Sequence, residues 1–189
     1  MDVKIQILNG TLQVFNKKGL KFTMDDIARE LNMSKKTIYT VFRDKEELFL
    51  TMVDYLFDSI KVSEQQVMLD PNLTTLEKIE KILGVMPESY DGIDFRQLYL
   101  LKERYPDIYR KVENRLETGW ETTISLLEQG IQEGVIRPIC IPILKTMLEA
   151  SLEHFFQRDI LMQCEISYHE ALHEVVKILM TGIKKEETV

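Results

Sequence analysis

The sequence predicts an all-α protein, a small helix-turn-helix head followed by a longer helical bundle, with about nine helices in total. Three observations carry that expectation. Apolar residues recur at helical spacing along almost the whole chain. No segment alternates as a half-buried strand would. The stretch 23–48, TMDDIARELNMSKKTIYTVFRDKEEL, reads as two short helices around a tight turn, with a capped third helix behind them.

Taken as a helix at 100° per residue, residues 34–42 place Ile38, Val41 and Phe42 on one side. Lys36 and Thr40 fall opposite, with Thr37 beside them. Ser34 is placed to cap the helix, and Lys35 and Lys36 near that terminus favour an anionic neighbour such as phosphate. Tyr39 lies near the edge between the faces, where its ring can pack while its hydroxyl reaches outward. Packing residues are thus separated from reading residues, which suits a helix that enters the major groove of DNA. In the preceding helix, predicted over 25–31, Ile27, Ala28 and Leu31 form the buried side. Thr23 and Asp26 have the spacing of a capping box, and Asn32 takes the turn, where positive φ is needed. Asp44 and Glu47 repeat the cap for the next helix.

From Ile5 through Leu48 the chain resembles the TetR family of bacterial one-component transcription regulators. The resemblance rests on Phe15 and Gly19 at the close of the first helix, Ile27-Ala28, Ser34, Ile38-Tyr39, Phe42, Lys45 and Leu48. It implies that Tyr39 and Lys45 touch DNA phosphates while Lys35, Lys36, Thr37 and Thr40 lie in or beside the groove. The DNA-facing set is therefore Thr23, Ser34, Lys35, Lys36, Thr37, Tyr39, Thr40 and Lys45. Three features depart from the family pattern, one of them a pair of residues. Asn32 stands where Gly is usual, Thr40-Val41 replaces a commonly aromatic pair, and Gly10 lies inside the first helix at a cost of about 1 kcal/mol relative to Ala. The implied division is a DNA-binding domain over 1–47 and an effector-binding and dimerisation domain over 48–189. The implied partners are a palindromic double-stranded operator, a second copy of the chain, and a small molecule that releases a repressor from DNA.

Length and charge agree with that reading. A chain of 189 residues can bury a substantial core. No apolar run approaches a bilayer's thickness and no basic-then-apolar leader opens the chain, so a cytoplasmic protein without membrane contact is expected. Cys140 and Cys164 are far apart and lack metal-ligand spacing, so neither a disulfide framework nor a zinc site is expected. The net charge of −7 argues against DNA only until the chain is divided. Residues 1–50 hold nine Lys/Arg against seven Asp/Glu, and the remainder fifteen against twenty-four. Counterion release depends on the cations at the contact, not on the global sum.

The body is predicted as helices over 45–68, 74–87, 95–105, 106–134, 143–160 and 167–183. The first is apolar on two sides, which suits a connector; Asp70-Pro71-Asn72 stops it, and Thr74 with Glu77 caps the next. Pro106 opens a long helix carrying Trp120, Ile124, Leu127 and Ile131. The last two helices carry heavy apolar stripes, and resemblance implies a dimer interface through them: Leu148, Leu152, Phe155, Phe156, Leu172, Val175, Val176 and Leu179. Two symmetric heads would supply the contact area that one small head lacks.

Candidates to line an effector pocket are Met86, Tyr90, Phe95, Tyr99, Trp120 and Met147, since Met adapts to irregular cavities and Tyr and Trp combine an apolar body with a polar handle. Glu88, Glu103 or Glu128 would favour a cationic ligand. One competing motif is His169-Glu170-Ala171-Leu172-His173, which matches the H-E-x-x-H of zinc hydrolases. No third ligand follows at metzincin spacing, Glu186 and Glu187 lie in what reads as a frayed tail, and solvent-side residues on a helix explain the motif more simply. Neither an enzyme nor a cofactor is expected. A body that responds to a protein partner is the weaker alternative.

Overall fold

The structure is a computed structural model that describes residues 2–87, 90, 95, 96 and 98–185. Glu88, the Asp91-Gly92 loop, Glu186 and Glu187 lie outside the described residues. Among those described, eleven α-helices follow one another: α1 Val3–Lys18, α2 Met24–Glu30, α3 Lys35–Val41, α4 Lys45–Leu69, α5 Thr75–Leu83, α6 Leu101–Arg104, α7 Pro106–Glu117, α8 Glu121–Gln132, α9 Ile141–Gln157, α10 Ile160–Gln163 and α11 Tyr168–Ile183. Single 3₁₀ turns at Gly19–Lys21 and Leu98–Leu100 precede α2 and α6. The only β pairing among the described residues is an isolated bridge between Ile136 and Lys184, which ties the end of α11 to the loop after α8.

The starts of these helices follow from single side chains. Ser34 accepts from the Thr37 N–H, Asp44 from Glu47, and complete capping boxes open α2 (Thr23/Asp26), α5 (Thr74/Glu77) and α11 (Ser167/Glu170). Each such cap is worth about 1 kcal/mol. Asn32 takes φ 50° in the turn between α2 and α3, as its sequence position requires.

Four departures from the sequence pattern change the body. The helix predicted over 106–134 is two helices, because Gly119 turns back at φ 79° and the Thr118 N–H closes α7 on the Asn114 carbonyl. The Trp120 indole N–H then donates to the Leu116 carbonyl at 2.7 Å, so the apolar stripe continues across the break and hides it from periodicity. The helix predicted over 95–105 is a 3₁₀ turn plus the four-residue α6, and α5 closes at Gly84, short of Pro87. The chain after Gln157 adds the short α10.

The core forms two clusters. One unites Ile7, Phe15, Phe22, Ile27, Ile38, Phe42, Leu48 and Phe49 with Leu101, Ile108 and Tyr109. The other joins Ile79, Ile82, Leu126, Leu127, Leu148, Leu172, Val176 and Leu179 from α5, α8, α9 and α11. Within one chain, the residues expected at the interface are largely covered. Leu148, Leu152, Phe156, Leu172, Val176 and Leu179 are all less than 10% exposed within one chain, and half-buried Phe155 and Val175 pack against the second cluster. The heaviest stripe faces inward because α9 and α11 must first cover their own core. What remains outside is an offset stripe: Ile143, Met147 and Ile178 are 58%, 52% and 63% exposed.

Gly10 has a packing reason. A Cβ there would lie 2.5 Å from Leu31 Cδ2 and 2.7 Å from Leu31 Cγ, so α1 and the end of α2 approach through the missing side chain. Gly10→Ala is expected to lower the melting temperature, because overpacking costs about 1–3 kcal/mol against about 1 kcal/mol of recovered helix propensity. Pairing it with Leu31→Ala should reverse the sign of the Gly10→Ala increment. A melting temperature raised by Gly10→Ala alone would refute the close-approach explanation.

Candidate nucleic-acid interface and body cavity

The interface is built on α2, the turn and α3. Asp26, 8% exposed, accepts from Lys18 Nζ at 2.7 Å and from both the Thr23 hydroxyl and N–H. The Lys18 contact first, then Thr23, hold its carboxyl down at about 2, so it stays ionised and fixes α2 on α1. Ile27 and Ala28 are buried beneath, and Ile38 and Phe42 anchor α3 at 0% and 1% exposure. The opposite side of α3 is open. Lys35, Lys36, Thr37, Tyr39 and Thr40 are all exposed, with Ser34 and Thr23 beside them.

Their local bonding differs. The Ser34 and Thr37 hydroxyls pair at 2.9 Å, and the Thr40 hydroxyl donates to the Thr37 carbonyl at 2.6 Å. Lys35 is paired with Asp25 at 2.5 Å, both side chains about half exposed. Such exposed pairs contribute about 0–1 kcal/mol, so phosphate can displace the carboxylate.

Lys45 is placed otherwise than resemblance implies. Its ammonium donates to the Leu20 carbonyl at 3.0 Å and to the Tyr105 hydroxyl at 2.9 Å, and sits 4.2 Å above the Phe22 ring. Tyr105 in turn donates to Leu20 O at 3.3 Å. In this conformation Lys45 forms part of a seam joining α4 to the start of α7. The cause is local: two ring faces and a carbonyl provide a half-buried seat that suits a cation on a long stem.

The second feature is a cavity of about 180 Å³ between the two core clusters. Of the sequence candidates, Met86, Tyr90, Phe95 and Trp120 line it. Tyr99 and Met147 do not; Met147 points to solvent on the outer face of α9. Glu103 and Glu128 are exposed and lie off it. Leu12 and Phe15 of α1 and Phe49 of α4 line the wall nearest the head. The polar end holds Lys61, Glu64, Arg115 and Gly119, which the sequence reading missed. The signal was present: Glu64 follows Phe57 and Ile60 on the same inward face of α4, a carboxylate interrupting an apolar stripe.

The His169/Glu170/His173 motif does not assemble. Glu170 caps α11 through the Ser167 N–H and hydroxyl, each at 2.8 Å, and these bonds hold its carboxyl below the usual range. Both histidines are exposed, and among the described residues no group of three His, Cys, Asp or Glu side chains could hold a metal ion. No helix among the described residues is long and apolar enough to cross a membrane.

Comparison with known proteins agrees with this geometry. Residues 7–52 match the family model described as bacterial regulatory proteins, tetR family. The chain is 25% identical over 182 residues to the HTH-type transcriptional regulator YvaF of Bacillus subtilis (strain 168), covering 96% of each. A second regulator of that organism, YhgD, is 28% identical over 75% of each chain. Among solved structures, regulatory protein TetR from Rhodobacter sphaeroides superposes with a TM-score of 0.72 at 18% identity, over 95% of this chain and 97% of that one. FadR from Bacillus subtilis, in complex with stearoyl-CoA, gives 0.61 at 16% identity, over 95% and 98%.

Lys45→Ala is expected to lower stability by about 1–3 kcal/mol, through the lost carbonyl bond and cation–π contact. It should leave the salt slope of DNA binding unchanged. A slope flattened by about one ion in anisotropy titrations would return Lys45 to the phosphate backbone.

Proposed function

We propose that the chain, whose residues 7–52 match the tetR family model, is a regulator of that family that binds a palindromic operator as a homodimer and represses until a small molecule enters the body cavity. The observation that carries the reading is the two-sidedness of α3. Ile38 and Phe42 are buried while Lys36, Thr37 and Thr40 stand clear of the protein, as a groove-reading helix requires. Lys36, Thr37 and Thr40 face base edges; Lys35, Tyr39, Ser34 and Thr23 meet phosphates. Residues 1–47 form the DNA-binding part and 48–189 the effector and dimerisation part, with α4 running unbroken across that division. The compartment that fits is the cytoplasm, where operators are found.

The second copy docks on the offset stripe of α9 and α11. Ile143, Met147 and Ile178 provide its apolar surface, since the heavier stripe beneath is spent on the chain's own core. The regulator role accounts for the described residues better than metal-assisted hydrolysis does, because Glu170 is occupied as a cap.

Selection of bound sites from a random duplex library tests base reading. Lys36→Ala is expected to relax the selected motif at one or two positions, with a loss of about 1–3 kcal/mol on the preferred site. An unaltered motif would remove Lys36 from base recognition. Ile178→Glu should produce a monomer in sedimentation and lower operator affinity by at least about tenfold; a stable dimer in that variant places the interface elsewhere.

A further inference from the structure

Resting on the reading of the body cavity as an effector site, we infer that its ligand is a lipophilic cation, a small apolar or aromatic body with one ammonium group that takes the seat Lys61 now fills. At the polar end of the cavity, Glu64 is 8% exposed and both its carboxylate oxygens accept from Lys61 Nζ, at 2.9 and 2.8 Å. The same ammonium donates to the Gly119 carbonyl. Two acceptors from different parts of the fold, α4 and the α7–α8 turn, thus converge on one positive charge.

The two acceptors are fixed and the donor is not. Glu64 is held on the inward face of α4, and the Gly119 carbonyl is held by a turn at φ 79°. Lys61 ends a flexible four-carbon stem and keeps 41% of its side chain exposed, so its ammonium reaches water by rotation of that stem. A ligand ammonium that replaces it leaves Glu64 paired. An anionic ligand would instead have to take Lys61 away from Glu64 and leave a buried carboxylate alone, which is strongly unfavourable.

The other cation of the lining is already engaged, so an anion would have to displace its carboxylate partners. Arg115 is already committed to Asp58 at 2.6 Å and Asp54 at 3.7 Å, with its guanidinium 5.3 Å from the Phe57 ring centroid. Among the described residues, Glu64 is the only carboxylate in the lining. Tyr90 and Phe95 add aromatic rings to the remaining wall, a kind of surface that suits a cation. The volume sets the scale of the apolar body. A dry cavity of about 150 Å³ takes up benzene, and this one is about 180 Å³.

Trp120, the chain's single tryptophan, lines the cavity and reports occupancy by fluorescence. Three probes with one body and three heads decide the matter: 4-phenylbutylamine, 4-phenylbutanol and 4-phenylbutyrate, titrated into the full-length protein. The amine is expected to bind about tenfold or more tightly than the other two, the range for a charge-assisted bond to a buried acceptor. Glu64→Gln should bring the amine down to the alcohol's affinity and leave the alcohol unchanged. Lys61→Met removes the internal competitor and should tighten amine binding several-fold. Tightest binding by the carboxylate, equal binding of all three, or weaker amine binding in Lys61→Met would overturn the cation assignment and leave the cavity as a ligand site. If no probe perturbs Trp120 in protein that still binds its operator, the cavity reading falls along with the inference, while DNA recognition stands.

Discussion

Phe49 is the side chain on which head and body both depend. It is 2% exposed, and its ring meets Phe15 at 6.2 Å, Phe22 at 5.6 Å and Tyr105 at 5.7 Å between centroids. Those partners belong to α1, the loop before α2 and the start of α7. Aromatic pairs of this kind contribute about 0.5–1.5 kcal/mol each beyond their burial, so any rotation of α4 disturbs three contacts together. The Lys45 seat on Phe22, Leu20 and Tyr105 lies one turn earlier and reinforces the same joint. The head is therefore not a bead on a tether. It shares a continuous core with the first half of the body.

That sharing gives the cavity direct access to the head. Leu12, Phe15 and Phe49 form part of its wall, so α1 and α4 border the cavity directly. Close-packed interiors yield by discrete repacking more readily than by graded compression. A coupling of about 1–3 kcal/mol between ligand and DNA is the usual requirement, which is comparable to the value of one or two of these ring contacts.

The sequence was most legible where one side chain determines one geometry. Asn32 at positive φ, the caps at Thr23, Ser34, Asp44, Thr74 and Ser167, and the division of α3 between Ile38 and Thr40 all follow from local chemistry. Legibility failed where a tertiary partner decides. The break at Gly119 was masked because Trp120 bridges back to Leu116 and keeps the stripe in register. The stripes on α9 and α11 look the same whether they serve a core or an interface, and the packing of α5 and α8 against them is not written in either stripe. Lys45 carries no sequence sign of Tyr105, which lies sixty residues away. Tyr99 and Met147 were plausible by type, but residue type does not say which way a side chain points.

The electrostatics of the head explain how an acidic protein can recognise DNA selectively. Lys17 pairs with Glu30, Lys18 with Asp26 and Lys35 with Asp25, so several of its cations already have carboxylate partners. A phosphate that recruits Lys35 must first displace Asp25, and the released carboxylate stays nearby and repels the duplex. That tempers the counterion-release gain, which is the part of binding that ignores sequence. The Lys18–Asp26 pair is different, since Asp26 is buried and held at about 2, and it stays a structural brace. On the proposed reading of α3, affinity then draws more heavily on Lys36 and on the hydroxyls of Ser34, Thr37, Tyr39 and Thr40, whose value depends on what each groove position offers. On that reading, weak general attraction and a polar face on α3 act in the same direction, toward dependence on sequence.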